Sequence, residues 1–99
     1  MPTKKTTATP TIKSKTIWKT LPEPAKGKAG NQDRLILHVS DTHVYYASRG
    51  GNIQNPFNSC NSCQIARFLK AAKLDRSATS VEWKQAQKDL APWIQAQGI

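Results

Sequence analysis

The hydrophobic positions change rhythm along the chain, and each rhythm predicts an element. Thr16, Ile17, Trp18, Thr20 and Leu21 form a run of β-formers closed by Pro22 and Pro24, which predicts a short edge strand docking Trp18 on the core. The segments Arg34 to Ser40 and His43 to Ser48 alternate with a period of two. Pairing Val39 with Val44, through a tight connection at Asp41 and Thr42 or a four-residue one of the same register, puts Leu35, Leu37, Val39, Val44 and Tyr46 on one face. Ile36, His38, Ser40, His43 and Tyr45 then share the other.

From Asn58 to Leu74 the rhythm becomes helical. Ile65, Phe68, Leu69 and Ala72 recur at i, i+3, i+4 and i+7, with Arg67 and Lys70 on the opposite side. Asn61 and Gln64 have capping-box spacing, so this helix is expected from Asn61 or Ser62 to about Lys73, followed by a turn at Leu74 to Ser77. Thr79 and Glu82 repeat that spacing and open a second helix, Ser80 to about Leu90, with Trp83, Ala86, Leu90 and then Trp93 or Ile94 on its apolar side. Pro92 interrupts it and opens a last turn through Gln97, ended by Gly98.

Between these elements the chain reads as connection. Residues 1–15 have almost nothing apolar except Ile12 and are expected to be a disordered basic tail. Residues 16–99 then form one small domain. Residues 21–31, rich in proline and glycine, are a linker or loop inside it, and residues 48–59 are a long mobile loop. The expected fold is α+β: a two-layer domain with a short antiparallel sheet of two or three strands, packed by two C-terminal helices.

Charge sharpens this picture. Fifteen Lys and Arg face six Asp and Glu, for a net charge of +9 over 99 residues. Residues 1–30 hold seven Lys against Glu23 alone, so most of the excess lies in the tail and the segment that follows it. A cationic tail on a weakly basic body suits a polyanion, because phosphate contacts release counterions without exact geometry. No apolar run approaches the roughly 20 residues of a membrane span, and no apolar leader segment follows the first lysines. The expected location is the cytoplasm, or the nucleoid within it.

Catalytic signatures are lacking. The carboxylates are scattered, no pair suggests shared acid–base work, and no glycine-rich phosphate loop joins a strand to a helix. Cys60 and Cys63, with two residues between them, form the one metal-like motif; with His38 and His43 they would make a four-ligand zinc site. A redox role lacks its usual context, and small buried or half-buried hydrophobes at a helix cap are the reading that best accounts for the pair.

The composition therefore points to a small, basic, non-enzymatic protein that binds nucleic acid or serves as a regulatory accessory, as monomer or homodimer. Its expected phosphate contacts are Lys4, Lys5, Lys13, Lys15, Lys19, Arg49, Arg67 and Lys70. Two alternatives remain from the sequence. One is a protein-interaction module, an inhibitor or adaptor of the kind a phage or mobile element encodes, using loop 48–59 and the aromatic C-terminal helix. The other is a zinc-stabilised module.

Overall fold

A computed structural model describes residues 12–22, 25, 30, 32–50 and 54–99. Of the tail expected to be disordered over residues 1–15, residues 1–11, with the contacts at Lys4 and Lys5, lie outside the described residues, whereas residues 12–15 are described and the Lys15 N–H donates to the Ile36 carbonyl at 2.9 Å. Ile12, the first described residue, is buried among the core side chains.

The elements run β1 (Thr16–Thr20), β2 (Asp33–Val39), β3 (His43–Arg49), β4 (Ser59–Gln64), α1 (Ile65–Ala71), β5 (Ala72–Ser77), α2 (Ser80–Asp89) and α3 (Ala91–Gln97). The α+β class and the antiparallel sheet are as expected. The strand count is not: five strands lie in the order β4-β3-β2-β1-β5. Nor are the helices confined to the C-terminus, because α1 is the crossover from one sheet edge to the other.

Two corrections explain the larger sheet. Residues 59–64 pair with β3 as a strand, from Ser48 opposite Ser59 to His43 opposite Gln64, although Asn61 and Gln64 have the spacing of a helix start. The helix begins only after Gln64 and has no side-chain cap. The segment expected as a turn, 74–77, lies inside β5 and pairs with β1, from Thr16 opposite Ser77 to Thr20 opposite Ala72. Trp18 does dock in the core, 1% exposed. Its strand, however, is not an edge, since β2 and β5 flank it.

Each sheet face carries its own core, giving three layers in place of two. On one face α1 places Phe68 against Trp18, Ile36, Val44 and Tyr46. Edge-on contact of Trp18 and Phe68, 5.4 Å between centroids, locks α1 down. On the other face α2 and α3 bring Ala86 and Ile94 onto Ile17, Leu35, Leu37, Ala47 and Phe57.

The pairing of Val39 with Val44 is as expected, but a bulge between Ile36 and His38 shifts the register beyond it. One extra residue reverses every later facing. Ile36, opposite Tyr46, therefore takes the place under α1 expected for Leu37, while Leu35 and Leu37 face α2 and α3.

The C-terminal helices follow their local signals. Thr79 Oγ1 accepts from the Glu82 N–H at 3.1 Å, and Glu82 Oε1 accepts from the Thr79 N–H at 2.9 Å, completing the capping box. Pro92 sits in the first turn of α3, and Gly98, at φ 72°, caps its end in the left-handed conformation that glycine tolerates best.

The loop expected to be mobile is anchored where it is described. Phe57 is 1% exposed, and Gln85 holds its backbone on both sides, accepting from the Phe57 N–H at 2.9 Å and donating to its carbonyl at 3.0 Å.

Candidate anion-binding cleft

Strand alternation sorts the charged side chains before any of them meets solvent. On the α2 side, Asp33, Arg49 and Glu82 form a buried network. Arg49 Nε donates to Asp33 Oδ2 at 2.8 Å and its Nη2 to Glu82 Oε2 at 2.7 Å, while the Arg49 side chain is only 2% exposed. Lys19 Nζ donates to Asp33 Oδ1 at 2.5 Å, and both terminal nitrogens of Arg76 donate to Glu82 at 2.8 Å. The Arg76 hydrogen bonds, above all, hold the Glu82 carboxyl well below the usual carboxylate range.

This network changes the expected phosphate contacts. Arg49 is an interior cation neutralised by two carboxylates, and Lys19 is paired with Asp33. Lys15 lies with its Nζ 5.4 Å from the Trp83 ring centroid, on the α2 side. Lys13 is exposed at the same end of β1. None of these joins the cations of α1.

Arg67 and Lys70 behave differently. Both are exposed, and both line a cleft of about 570 Å³ together with Arg34, Tyr46, Cys63 and the Leu21–Pro22 strap. The cleft exists because α1 crosses its sheet face obliquely, from the Gln64 end of β4 to the Ala72 end of β5, leaving a corner of β3 and β4 uncovered. The strap closes that corner: the Leu21 N–H donates to the Ala71 carbonyl at 2.8 Å, and Gly30, at φ 77°, backs onto it. A Cβ at Gly30 would come within 2.6 Å of the Pro22 nitrogen, so only glycine allows this approach.

Arg34 was missing from the expected contacts and is the central cation here. Its guanidinium carbon lies 4.7 Å from the Tyr46 ring centroid and 5.9 Å from that of Phe68. Its Nε is buried without a hydrogen-bond partner among the described residues. A planar guanidinium fixed on aromatic rings suits two-pronged recognition of phosphate or carboxylate oxygens. No described carboxylate lines the cleft. Alternation puts Arg34 on the face of Ile36, which the sequence reads as the mixed one; the bulge between Ile36 and His38 brings that face under α1.

The remaining candidates separate. Cys60 packs with the α2-side core and Cys63 with the α1-side core, as expected for residues three apart on a strand. The pair thus cannot grip one metal ion. His38 stacks at 5.8 Å on Tyr45, and Thr42 Oγ1 lies 2.8 Å from His43 Nδ1. Among the described residues no group of three or more His, Cys, Asp or Glu is placed to hold a metal ion. Burial raises both thiol pKa values; at Cys63 the guanidiniums of Arg34 and Arg67 oppose that rise. No helix of the described residues is long and apolar enough to cross a membrane. Of the aromatic C-terminal helix expected to serve a protein-interaction surface, Ile94 belongs to the core and Trp93 is partly buried against it.

Comparison of the chain with protein-family models, curated proteins and solved structures finds no match.

Proposed function

We propose that the protein is a small basic nucleic-acid-binding protein that makes phosphate-backbone contacts and catalyses no reaction. The cleft carries this reading: Arg34, Arg67 and Lys70 converge on one concavity without a described carboxylate, whereas Lys19, Arg49 and Arg76 are neutralised elsewhere. Three cations around a concavity attract a polyanion and orient its backbone, while the lysines of residues 1–11 add attraction that needs no geometry.

Fluorescence anisotropy with labelled oligonucleotides at two salt concentrations tests the proposal. Binding should weaken steeply as salt rises, with a log–log slope of roughly 0.7 to 0.9 per phosphate contact. Removal of residues 1–11 should weaken binding and flatten that slope. Absence of binding to single-stranded and duplex DNA at low salt rejects the proposal.

A further inference from the structure

We infer that the cleft is a site for single-stranded nucleic acid, the strand entering the recess bounded by α1, β4 and the Leu21–Pro22 strap. The inference rests on the phosphate-binding reading and specifies the form of its ligand.

The three cations surround a recess, and Arg34, set on the sheet face below α1, has its Nε shut off from solvent. A duplex presents its phosphates along a stiff convex rod, so a phosphate cannot enter the recess without bringing the neighbouring backbone against the rim. A single strand bends at each nucleotide and can place one phosphate inside while the next clears Pro22. The volume of about 570 Å³ falls in the range of sites that enclose a small organic group.

The described helices, moreover, do not project from the body. Reading a duplex through its major groove requires a helix or ribbon that stands out from the body. Helix α1 has seven residues, lies flat, and buries Phe68 completely. On the opposite face, α2 and α3 turn Ala86 and Ile94 into the core, and the first turn of α2 is closed by its own capping box.

Besides its cations the cleft presents Asn61 and Ser62 from β4. An amide and a hydroxyl beside a cationic track can hydrogen-bond the base edges and sugars that a single strand leaves open. Charge supplies most of the attraction, so binding should tolerate many sequences and depend strongly on salt.

The test uses the full chain and a labelled oligothymidine of about 12 nucleotides, within the range of single-strand site sizes. Unlabelled oligothymidine and a duplex of equal length compete at low salt. Three variants are compared: Arg34→Met, the double variant R67A/K70A, and the control K84A/K88A, which removes equal charge from exposed positions on α2. The single strand should compete at least about tenfold better than duplex, and R67A/K70A should lose at least about tenfold in affinity, equivalent to roughly 1.4 kcal/mol. Arg34→Met should also weaken binding, and the control should stay within about twofold of the parent, as expected for exposed charges remote from the contact.

Equal competition by duplex, or equal losses in R67A/K70A and the control, overturns the inference while leaving phosphate binding intact. Failure to bind either polymer overturns the function itself. The positions of R67A/K70A are exposed, so the test remains decisive even if Arg34→Met fails to fold.

Discussion

Arg49 gives the sharpest test of how this fold uses its charges, because the sequence suggests a phosphate contact and the structure puts the residue inside. Replacing it with alanine removes the bonds to Asp33 and Glu82, the 3.2 Å bond to the Asn55 carbonyl, and the guanidinium whose carbon lies 4.4 Å from the Phe57 ring centroid. Removing one partner of a buried ion pair typically costs about 3–5 kcal/mol, since the remaining charge is left without compensation. Here Asp33 keeps Lys19, and Glu82 keeps Arg76 and Thr79, which favours the lower end of that range. The loss of packing on Phe57 pushes the other way. A cost of about 3–4 kcal/mol is thus expected, against a total of about 5–15 kcal/mol for a domain of this size. The melting temperature should fall by roughly 12–30 °C, using about 4–8 °C per kcal/mol for small domains. Arg49→Met, which keeps an unbranched apolar side chain in the buried position, should lose less. Urea unfolding followed by tryptophan fluorescence gives the stability, and anisotropy below the melting point gives the affinity. Stability of Arg49→Ala within about 1 kcal/mol of the parent, the range of ordinary surface changes, would refute the buried network. A folded Arg49→Met that loses as much affinity as R67A/K70A would refute the assignment of contacts to the cleft.

Two further predictions concern the same side chains and their neighbours. The Glu82 carboxyl titrates below its unfolded value of about 4.3, so its stabilising contribution is complete above that pH and is lost as the pH falls below it. Urea midpoints measured from pH 6 to pH 2 should therefore fall less steeply in Glu82→Gln than in the parent, and parallel curves would contradict the assignment. Cys60 and Cys63 lie on opposite sheet faces, with Cα atoms about 10 Å apart at strand rise, beyond the roughly 7 Å limit for a disulfide. Oxidised glutathione should produce no Cys60–Cys63 bond in the folded protein and zinc should leave its melting temperature unchanged; mass spectrometry and thermal melts check these outcomes.

What the sequence reveals depends on the range of the interaction. Thr79, Glu82, Pro92 and Gly98 act within one helical turn, so α2 and α3 are legible to within a residue. Val39 and Val44 are also close, and their pairing is readable. The bulge at Leu37 is not, because it reconciles a hairpin at one end of β2 with two separate cores at the other. Strand β4 has no large apolar residue and contains a false helix signal at Asn61 and Gln64. Its extended form comes from the ladder with β3, a tertiary interaction that overrides local preference. Strand β5 similarly owes its form to β1, more than fifty positions earlier in the chain. The cleft is the least legible feature, since it assembles Arg34 from a strand, Arg67 and Lys70 from a helix, and a strap from a segment that reads as linker.

Asp33 and Arg34 show why a count of charges misses this site. Adjacent in sequence, they cancel in any running sum, and the excess then seems to belong to the tail. In β2 they point to opposite faces. Asp33 turns toward Arg49 and Lys19, while Arg34 turns onto Tyr46 and Phe68 beside Arg67 and Lys70. Glu82 completes the separation by drawing Arg49 and Arg76 to the α2 side. The pleat thus converts a locally neutral pair into two environments, a compensated interior on one face and, on the other, a cationic recess that no described carboxylate lines. At low dielectric the first stabilises the fold, and the second keeps its attraction for an incoming anion because no described carboxylate shares the cleft.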